Sequence, residues 1–82
     1  MLESRKIARQ FLKTATLKDY KKILREAKIT EIQIKILYLK IFKNKHVFQI
    51  ANRLHVAPET IKYNLAQIYD AVSKVLKKSK LP

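Results

Sequence analysis

The stretch from Phe48 to Tyr69, FQIANRLHVAPETIKYNLAQIY, decides the fold of this chain. Its apolar residues recur every three or four positions on both sides of an interruption, which is the spacing of a helix's buried face. These residues are Phe48, Ile50, Ala51 and Leu54, then Ile61, Leu65, Ile68 and Val72. The interruption ends at Pro58, and proline suits the first position of a helix because the amide there has no intrahelical partner. The stretch predicts two short amphipathic helices joined by a tight turn.

The apolar residues of this stretch also predict how its two helices pack. Ala51 lies where the helices would cross closely, a position that suits a small side chain. Val56, in the turn, is expected to fill the space between them. Leu54, Ile61 and Leu65 are expected to complete this small core.

Two helices are predicted nearer the start of the chain. Between Glu3 and Lys13 a stripe of apolar residues opposes arginines and lysines, which is the pattern of a basic amphipathic helix. Thr16 can cap a second helix from about Leu17 to Ala27, since a threonine hydroxyl accepts from an unpaired amide of the first turn. The residues expected to face the core are Ile7, Ala8, Phe11 and Leu12 in the first helix, and Leu17, Tyr20, Ile23 or Leu24, and Ala27 in the second. The first helix could instead lie as an arm on phosphates or a membrane surface.

The central segment admits two interpretations. Ile32, Ile34 and Ile36 alternate with polar residues, and β-branched side chains favour strands. Thr30 and Gln33, however, have the spacing of a capping box, which predicts a helix from Glu31. We favour the helix because the run is long and its apolar residues also form a helical stripe. That stripe comprises Ile34, Leu37, Tyr38 and Ile41, and the additional apolar residues suggest a nearly surrounded helix.

The chain contains no glycine, the residue that most often supplies positive φ angles in turns and helix C-caps. Asn44 and His55 are therefore expected to supply these conformations. A chain with few turns favours helices over β-hairpins. The sequence predicts an all-α bundle of about five helices, the last two from Val47 to His55 and from Pro58 to about Lys77.

Composition bounds the class of protein. Eighty-two residues with 48% hydrophobic content suit one small domain, divided into basic N-terminal helices (1–28), a main part (29–77) and a loose tail (78–82). The absence of cysteine excludes disulfides, thiolate catalysis and cysteine-based zinc sites. No apolar run approaches the roughly 20 residues of a membrane span, and the N-terminus lacks a signal-peptide core. A cytoplasmic protein is expected.

Charge indicates the partner. Nineteen basic and six acidic residues give a net charge of +13, which attracts polyanions strongly. Nucleic acid is the first expectation, while an anionic membrane or simple solubility are the alternatives. His46 and His55 belong to no ligand cluster, and the scattered carboxylates form no set typical of catalysis. We expect no enzyme activity, no metal and no cofactor.

The pattern from about Ile29 to Leu76 resembles the tetrahelical helix-turn-helix group, which includes LuxR/GerE-type DNA-binding domains and region four of bacterial sigma factors. The matching segments are Ile29-Thr30-Glu31 with Ile36-Leu37 for the opening helix, Ile50 to Leu54 for the scaffold helix, and Glu59-Thr60-Ile61-Lys62 with Leu65 and Ile68-Tyr69 for the recognition helix. His55 and Ala57 stand where the group usually has glycine and serine, and the LuxR-type dimerisation helix is missing. The resemblance implies binding to double-stranded DNA.

The residues expected to face the major groove point away from the predicted core of the last helix. They are Glu59, Lys62, Tyr63, Ala66, Gln67 and Asp70, with Thr60 at the side. Lys62 can bind guanine or phosphate, Gln67 can pair with adenine, and Glu59 can accept from cytosine. Tyr63 can stack on a sugar or meet a thymine methyl group.

Phosphate contacts are expected from Thr60, Lys45, Arg53 and the first amides of the last helix, because such contacts set the register without reading sequence. The resemblance adds that the threonine and lysine matching Thr60 and Lys62 commonly contact DNA. The leading hypothesis is a sequence-specific transcription regulator. The alternatives are a sigma-like subunit or RNA-polymerase-binding adaptor, and an accessory protein of phage or plasmid recombination or packaging.

The end of the last helix bears on assembly. Tyr69, Val72, Val75 and Leu76 extend its apolar stripe and need cover, either from the basic N-terminal helix or from a second chain. We favour cover within one chain. A monomer in solution is then expected, with a homodimer on DNA if half-sites lie roughly one helical turn apart.

Overall fold

A computed structural model describes residues 2–79, which form five α-helices and no strand. The helices are α1 (Leu2–Thr14), α2 (Leu17–Glu26), α3 (Glu31–Ile41), α4 (Val47–Leu54) and α5 (Pro58–Ser79). The prediction of a small all-α bundle is confirmed, and the alternating isoleucines after Thr30 lie on a helix. Lys78 and Ser79, expected in a loose tail, still belong to α5, while residues 80–82 lie outside the described residues.

Local hydrogen bonds explain where the helices begin. The Thr16 hydroxyl accepts from the amide of Asp19 at 3.2 Å and caps α2. Thr30 and Gln33 form the predicted capping box: the Thr30 hydroxyl accepts from the Gln33 amide at 3.3 Å, and the Gln33 side-chain oxygen accepts from the Thr30 amide at 3.2 Å. This box favours the helical start of α3 over the strand that its isoleucines could form.

Three residues with positive φ replace glycine in the turns. Asn44 (φ 52°) and His55 (φ 59°) confirm the prediction for these positions. Lys28 (φ 55°) was not predicted, because lysine carries no preference for this region. At all three of these helix ends the next amide donates to a helical carbonyl: Ile29 to Leu24 at 3.1 Å, Lys45 to Leu39 at 3.0 Å and Val56 to Ala51 at 3.0 Å. These bonds pair carbonyls that a helix end otherwise leaves open.

The long helix α5 is the centre of the bundle. It packs against each of the other four helices, most extensively against α1. The buried apolar residues form one cluster: Ala8, Leu12, Tyr20, Ile23, Leu24, Ile36, Leu37, Leu39, Ile50, Ala51, Ile61, Leu65, Ile68, Tyr69 and Val72. The N-terminal helix α1 thus covers the C-terminal half of α5 within one chain, as expected from the sequence.

Several residues expected in the core lie at the surface instead. Val56 does not fill the space between α4 and α5 as predicted, because its side chain is exposed, whereas Ile50, Ala51 and Ile61 of these helices are buried. The other residues wrongly assigned to the interior are Ile7, Leu17, Ile34, Tyr38 and Phe48.

The central helix α3 shows why the buried face of a helix can be predicted wrongly from apolar spacing. It buries Ile36, Leu37 and Leu39, whereas the predicted stripe included Ile34 and Tyr38. A helix that is apolar on nearly all sides has no single stripe, so its spacing does not identify the buried face. α3 packs against α4 and α5 and is not surrounded.

Candidate nucleic-acid interface

Helices α4 and α5 are joined by three residues, 55–57. His55 takes the left-handed conformation that ends α4, and the Ala57 carbonyl accepts from the amides of Thr60 at 3.0 Å and Ile61 at 3.4 Å, opening α5. Ile61 is fully buried and anchors the first turn of α5. The start of α5 is therefore held on one side by the core and open to solvent on the other.

The open side of α5 carries the residues predicted to read bases. Glu59, Lys62, Tyr63 and Gln67 are exposed, and Ala66 is half-buried. This side lies opposite the buried face of Ile61, Leu65 and Ile68. The structure thus places five of the six residues predicted to face the major groove on one continuous surface, which spans the first ten residues of α5 and is named the reading surface after that prediction.

Tyr63 and Gln67 are joined on this surface. The Gln67 side-chain amide donates to the Tyr63 hydroxyl at 3.0 Å, and these residues are four apart, which places them on adjacent turns. The Lys62 ammonium lies 6.0 Å from the centre of the Phe48 ring on α4. Phe48 was expected in the core, but here it supports a lysine at the surface.

A polar contact from α3 orients this surface, and the sequence did not predict it. The Gln33 side-chain amide donates to Asn64 at 3.2 Å and to Gln67 at 3.4 Å. The Asn64 amide in turn donates to the carbonyl of Thr60 at 2.8 Å. The sequence predicts Gln33 only as part of a helix cap, because its contacts with Asn64 and Gln67 depend on how α3 crosses α5.

The reading surface ends before Asp70. Asp70 points outward as expected, with 45% of its side chain exposed, and Arg5 of α1 pairs with it there through two hydrogen bonds, Nε to Oδ1 at 2.8 Å and Nη2 to Oδ2 at 3.1 Å. The hydrogen bonds from Arg5 lower the pKa of the Asp70 carboxyl below its ordinary value, and Asp70 raises the pKa of Arg5. The negative charge of Asp70 is therefore balanced by Arg5 within the chain. From Asp70 toward its C-terminus, α5 is covered by α1.

The three predicted phosphate-binding residues lie in different places. Thr60 is exposed on the first turn of α5, beside the reading surface. Lys45 is half-buried just before α4, and its amide donates to the Leu39 carbonyl at 3.0 Å. Arg53 lies at the other end of α4, where its side chain lines a groove shared with α3. Only Thr60 is grouped directly with the base-facing residues.

The described part of the chain shows neither the clustered ligands of a metal site nor a membrane-spanning helix. Within residues 2–79, no three histidine, aspartate or glutamate side chains come together as a metal site would require. None of the helices in this range is both long and apolar enough to cross a membrane. No family model, curated protein or solved structure matches this chain.

Proposed function

We propose that this protein binds double-stranded DNA and regulates transcription, with α4, the turn and α5 acting as a helix-turn-helix. The observation that carries the proposal is the exposed polar surface on the first ten residues of α5 in a chain of net charge +13. The resemblance of this segment to LuxR-type domains and sigma region four supports the same function.

The dimensions of α5 suit this function. The major groove is about 12 Å wide and admits one α-helix. Ten residues of helix span roughly 15 Å, enough to follow the groove edges of a few base pairs. Beyond this length Arg5 pairs with Asp70, and α1 packs on α5, so the N-terminal half of α5 is the part available to enter the groove.

The side chains on this surface match the chemistry of base edges. Lys62 can donate to guanine, Glu59 can accept from cytosine, and Gln67 offers the donor and acceptor pair that adenine requires. Ala66 allows the backbone to approach the bases closely. The Gln67 side chain already donates one N–H to Tyr63 and accepts one hydrogen bond from Gln33, and its second N–H and second lone pair remain to bond a base.

Phosphate contacts would set the position of α5 in the groove. Thr60 and the start of α5 lie beside the reading surface, where a helix N-terminus favours an anion. Pro58 carries no N–H, and the Thr60 and Ile61 amides bond the Ala57 carbonyl, so the Glu59 amide is the first-turn donor left for a phosphate. Lys45 and Arg53 flank α4 and are proposed to contact phosphates on either side of the groove. These contacts supply affinity that falls with salt, by a slope of about 0.9 per phosphate neutralised.

The test begins with selection of bound duplexes from a random library. Lys62→Ala, Tyr63→Ala and Gln67→Ala are then titrated against the selected and a scrambled duplex by fluorescence anisotropy. Each variant is expected to lose about 1 to 3 kcal/mol of binding free energy for the selected duplex, because one base contact favours the right base over the wrong one by that amount. The loss for the scrambled duplex should be smaller. Helical content should be unchanged, since these side chains make no core contact.

The matched control is Lys21→Ala, which removes an exposed lysine from α2, a helix outside the proposed helix-turn-helix. This substitution is expected to lower the affinity for both duplexes slightly and by the same factor. If selection enriches no sequence, or if all three α5 variants keep wild-type affinity and preference, this surface of α5 does not read DNA.

A further inference from the structure

The outer face of α3 is apolar and exposed. Ile34 is 39% exposed and Tyr38 is 46% exposed, although both belong to a helix that is apolar on almost every side. Helices of that kind are normally buried. An apolar face left open on a small domain is often an interaction site.

This face forms one wall of a groove between α3 and α4. The groove has a volume of about 470 Å³, and its lining residues are Ile34, Lys35, Tyr38, Leu39, Arg53 and Leu54. Leu39 is buried and Leu54 half-buried, so the floor is aliphatic. Lys35 and Arg53 place two cations among these apolar side chains. The volume lies within the range of roughly 300 to 1,000 Å³ that is typical of ligand sites.

We propose that this groove binds an acidic amphipathic helix of another protein. Aliphatic side chains spaced three or four residues apart would enter the groove beside Ile34 and Tyr38, which is how amphipathic helices bind apolar grooves. Carboxylates flanking these anchors would meet Lys35 and Arg53. This surface is distinct from the proposed DNA-reading surface and does not depend on it.

Charge selects this occupant over a second copy of the chain. A chain of net charge +13 repels its own copies, and a copy would bring further lysines to a rim that is already cationic. A partner helix with acidic flanks gains complementarity at the same rim, which raises specificity and the association rate.

The aromatic residues favour a helix over single-stranded nucleic acid. Stacking of bases requires an open ring face, but the Tyr38 ring is flanked by Phe42, with centroids 5.6 Å apart, and by the Lys43 ammonium at 5.8 Å from its centre. The remaining apolar lining of the groove is aliphatic. Such a lining suits leucine or isoleucine anchors better than a base.

The groove and the reading surface are separated by the geometry of α3. Gln33 points toward α5, where it bonds Asn64 and Gln67, whereas Ile34 and Lys35 follow it around the helix toward α4. Since each residue turns a helix by about 100°, the groove and the reading surface lie on different sides of α3. Arg53 is also a proposed phosphate contact, so the test relies on Ile34 and Lys35.

The test uses a display library of random peptides of about 16 residues, roughly 24 Å as a helix. The folded full chain is the bait, and the Ile34→Glu variant is used to remove peptides that bind elsewhere. The enriched peptides are expected to share apolar residues at helical spacing and a net negative charge. A synthetic peptide of this pattern should bind the wild-type chain and lose about tenfold or more in affinity for Ile34→Glu.

Two further variants sharpen the result. Ile7→Glu makes the same substitution on an exposed site of α1 and should leave peptide affinity unchanged. Lys35→Glu should lower the affinity for the acidic peptide. Replacing the peptide's flanking glutamate with lysine should restore its binding to this variant. Circular dichroism verifies that each variant is folded.

Four outcomes would overturn the proposal. Enrichment of no peptide, or of peptides that bind Ile34→Glu equally well, excludes a peptide site in this groove. Binding of an oligothymidylate of about 12 nucleotides that Ile34→Glu abolishes would assign the groove to single-stranded nucleic acid. Sedimentation showing a dimer that Ile34→Glu dissociates would assign it to a second copy. Failure of duplex binding would instead bear only on the proposed DNA function.

Discussion

Replacing Leu12 with alanine tests whether α1 is an integral part of the fold. Leu12 is 2% exposed and belongs to the core cluster that includes Val72 of α5. Leucine-to-alanine changes in cores cost about 2 to 5 kcal/mol, because transfer energy is lost and a cavity remains. A chain of this length is stable by roughly 4 to 12 kcal/mol, so the change removes a large share. If the free energy of unfolding falls by about 3 kcal/mol, Tm should fall by roughly 12 to 24 °C.

The matched control is Leu17→Ala on the neighbouring helix. Leu17 is 62% exposed, and leucine and alanine have similar helix propensities, so its free energy of unfolding should change by no more than about 0.5 kcal/mol. Both variants are compared with the wild type in thermal and urea unfolding followed by far-ultraviolet circular dichroism. Equal effects of the two substitutions, or a loss below about 1 kcal/mol for Leu12→Ala, would refute the packing of α1 on α5.

The remaining predictions concern charge, a buried hydroxyl, a turn and assembly. Because the folded pKa of Asp70 is lowered, its contribution to stability is present above its ordinary pKa of about 4 and is lost as pH falls through the lowered value. Asp70→Asn should therefore flatten the acid side of a urea-midpoint profile, and an unchanged profile would contradict this. The Tyr20 hydroxyl is buried without a hydrogen-bond partner in residues 2–79, so Tyr20→Phe should raise Tm by about a few degrees. The exposed control Tyr38→Phe should leave Tm unchanged. A lower Tm for Tyr20→Phe would show that the hydroxyl is paired. His55→Val should destabilise by about 1 to 2 kcal/mol in urea unfolding, while His55→Asn should be nearly neutral, because only the β-branched residue resists a positive φ; equal effects would argue against the left-handed turn. Since Val72 is fully buried, sedimentation at micromolar concentration should show a monomer, and a stable dimer would contradict this expectation.

The sequence determined the helices and most of their boundaries, because these depend on neighbouring residues. Thr16 and Thr30 cap the helices that they precede, and Pro58 starts α5. The capping box at Thr30 outweighed the alternating isoleucines, although both signals were present. Asn44 and His55 were identified as turn residues because a chain without glycine leaves few other candidates.

The outward surface of α5 was also predictable from sequence. Its buried face repeats regularly through Ile61, Leu65 and Ile68, so the opposite face follows from helix geometry. What DNA or partner that surface binds is a proposal that rests on its chemistry and on the charge of the chain.

Only the tertiary structure decided which apolar side chains are buried and which distant residues meet. Leu17 and Ile34 have the same character as core residues, and their exposure depends on which helices lie beside them. Arg5 and Asp70 are 65 positions apart in the sequence, so no local pattern predicts their ion pair. Such contacts arise from the angles at which helices cross, because those angles depend on the packing of the whole core and on no single segment.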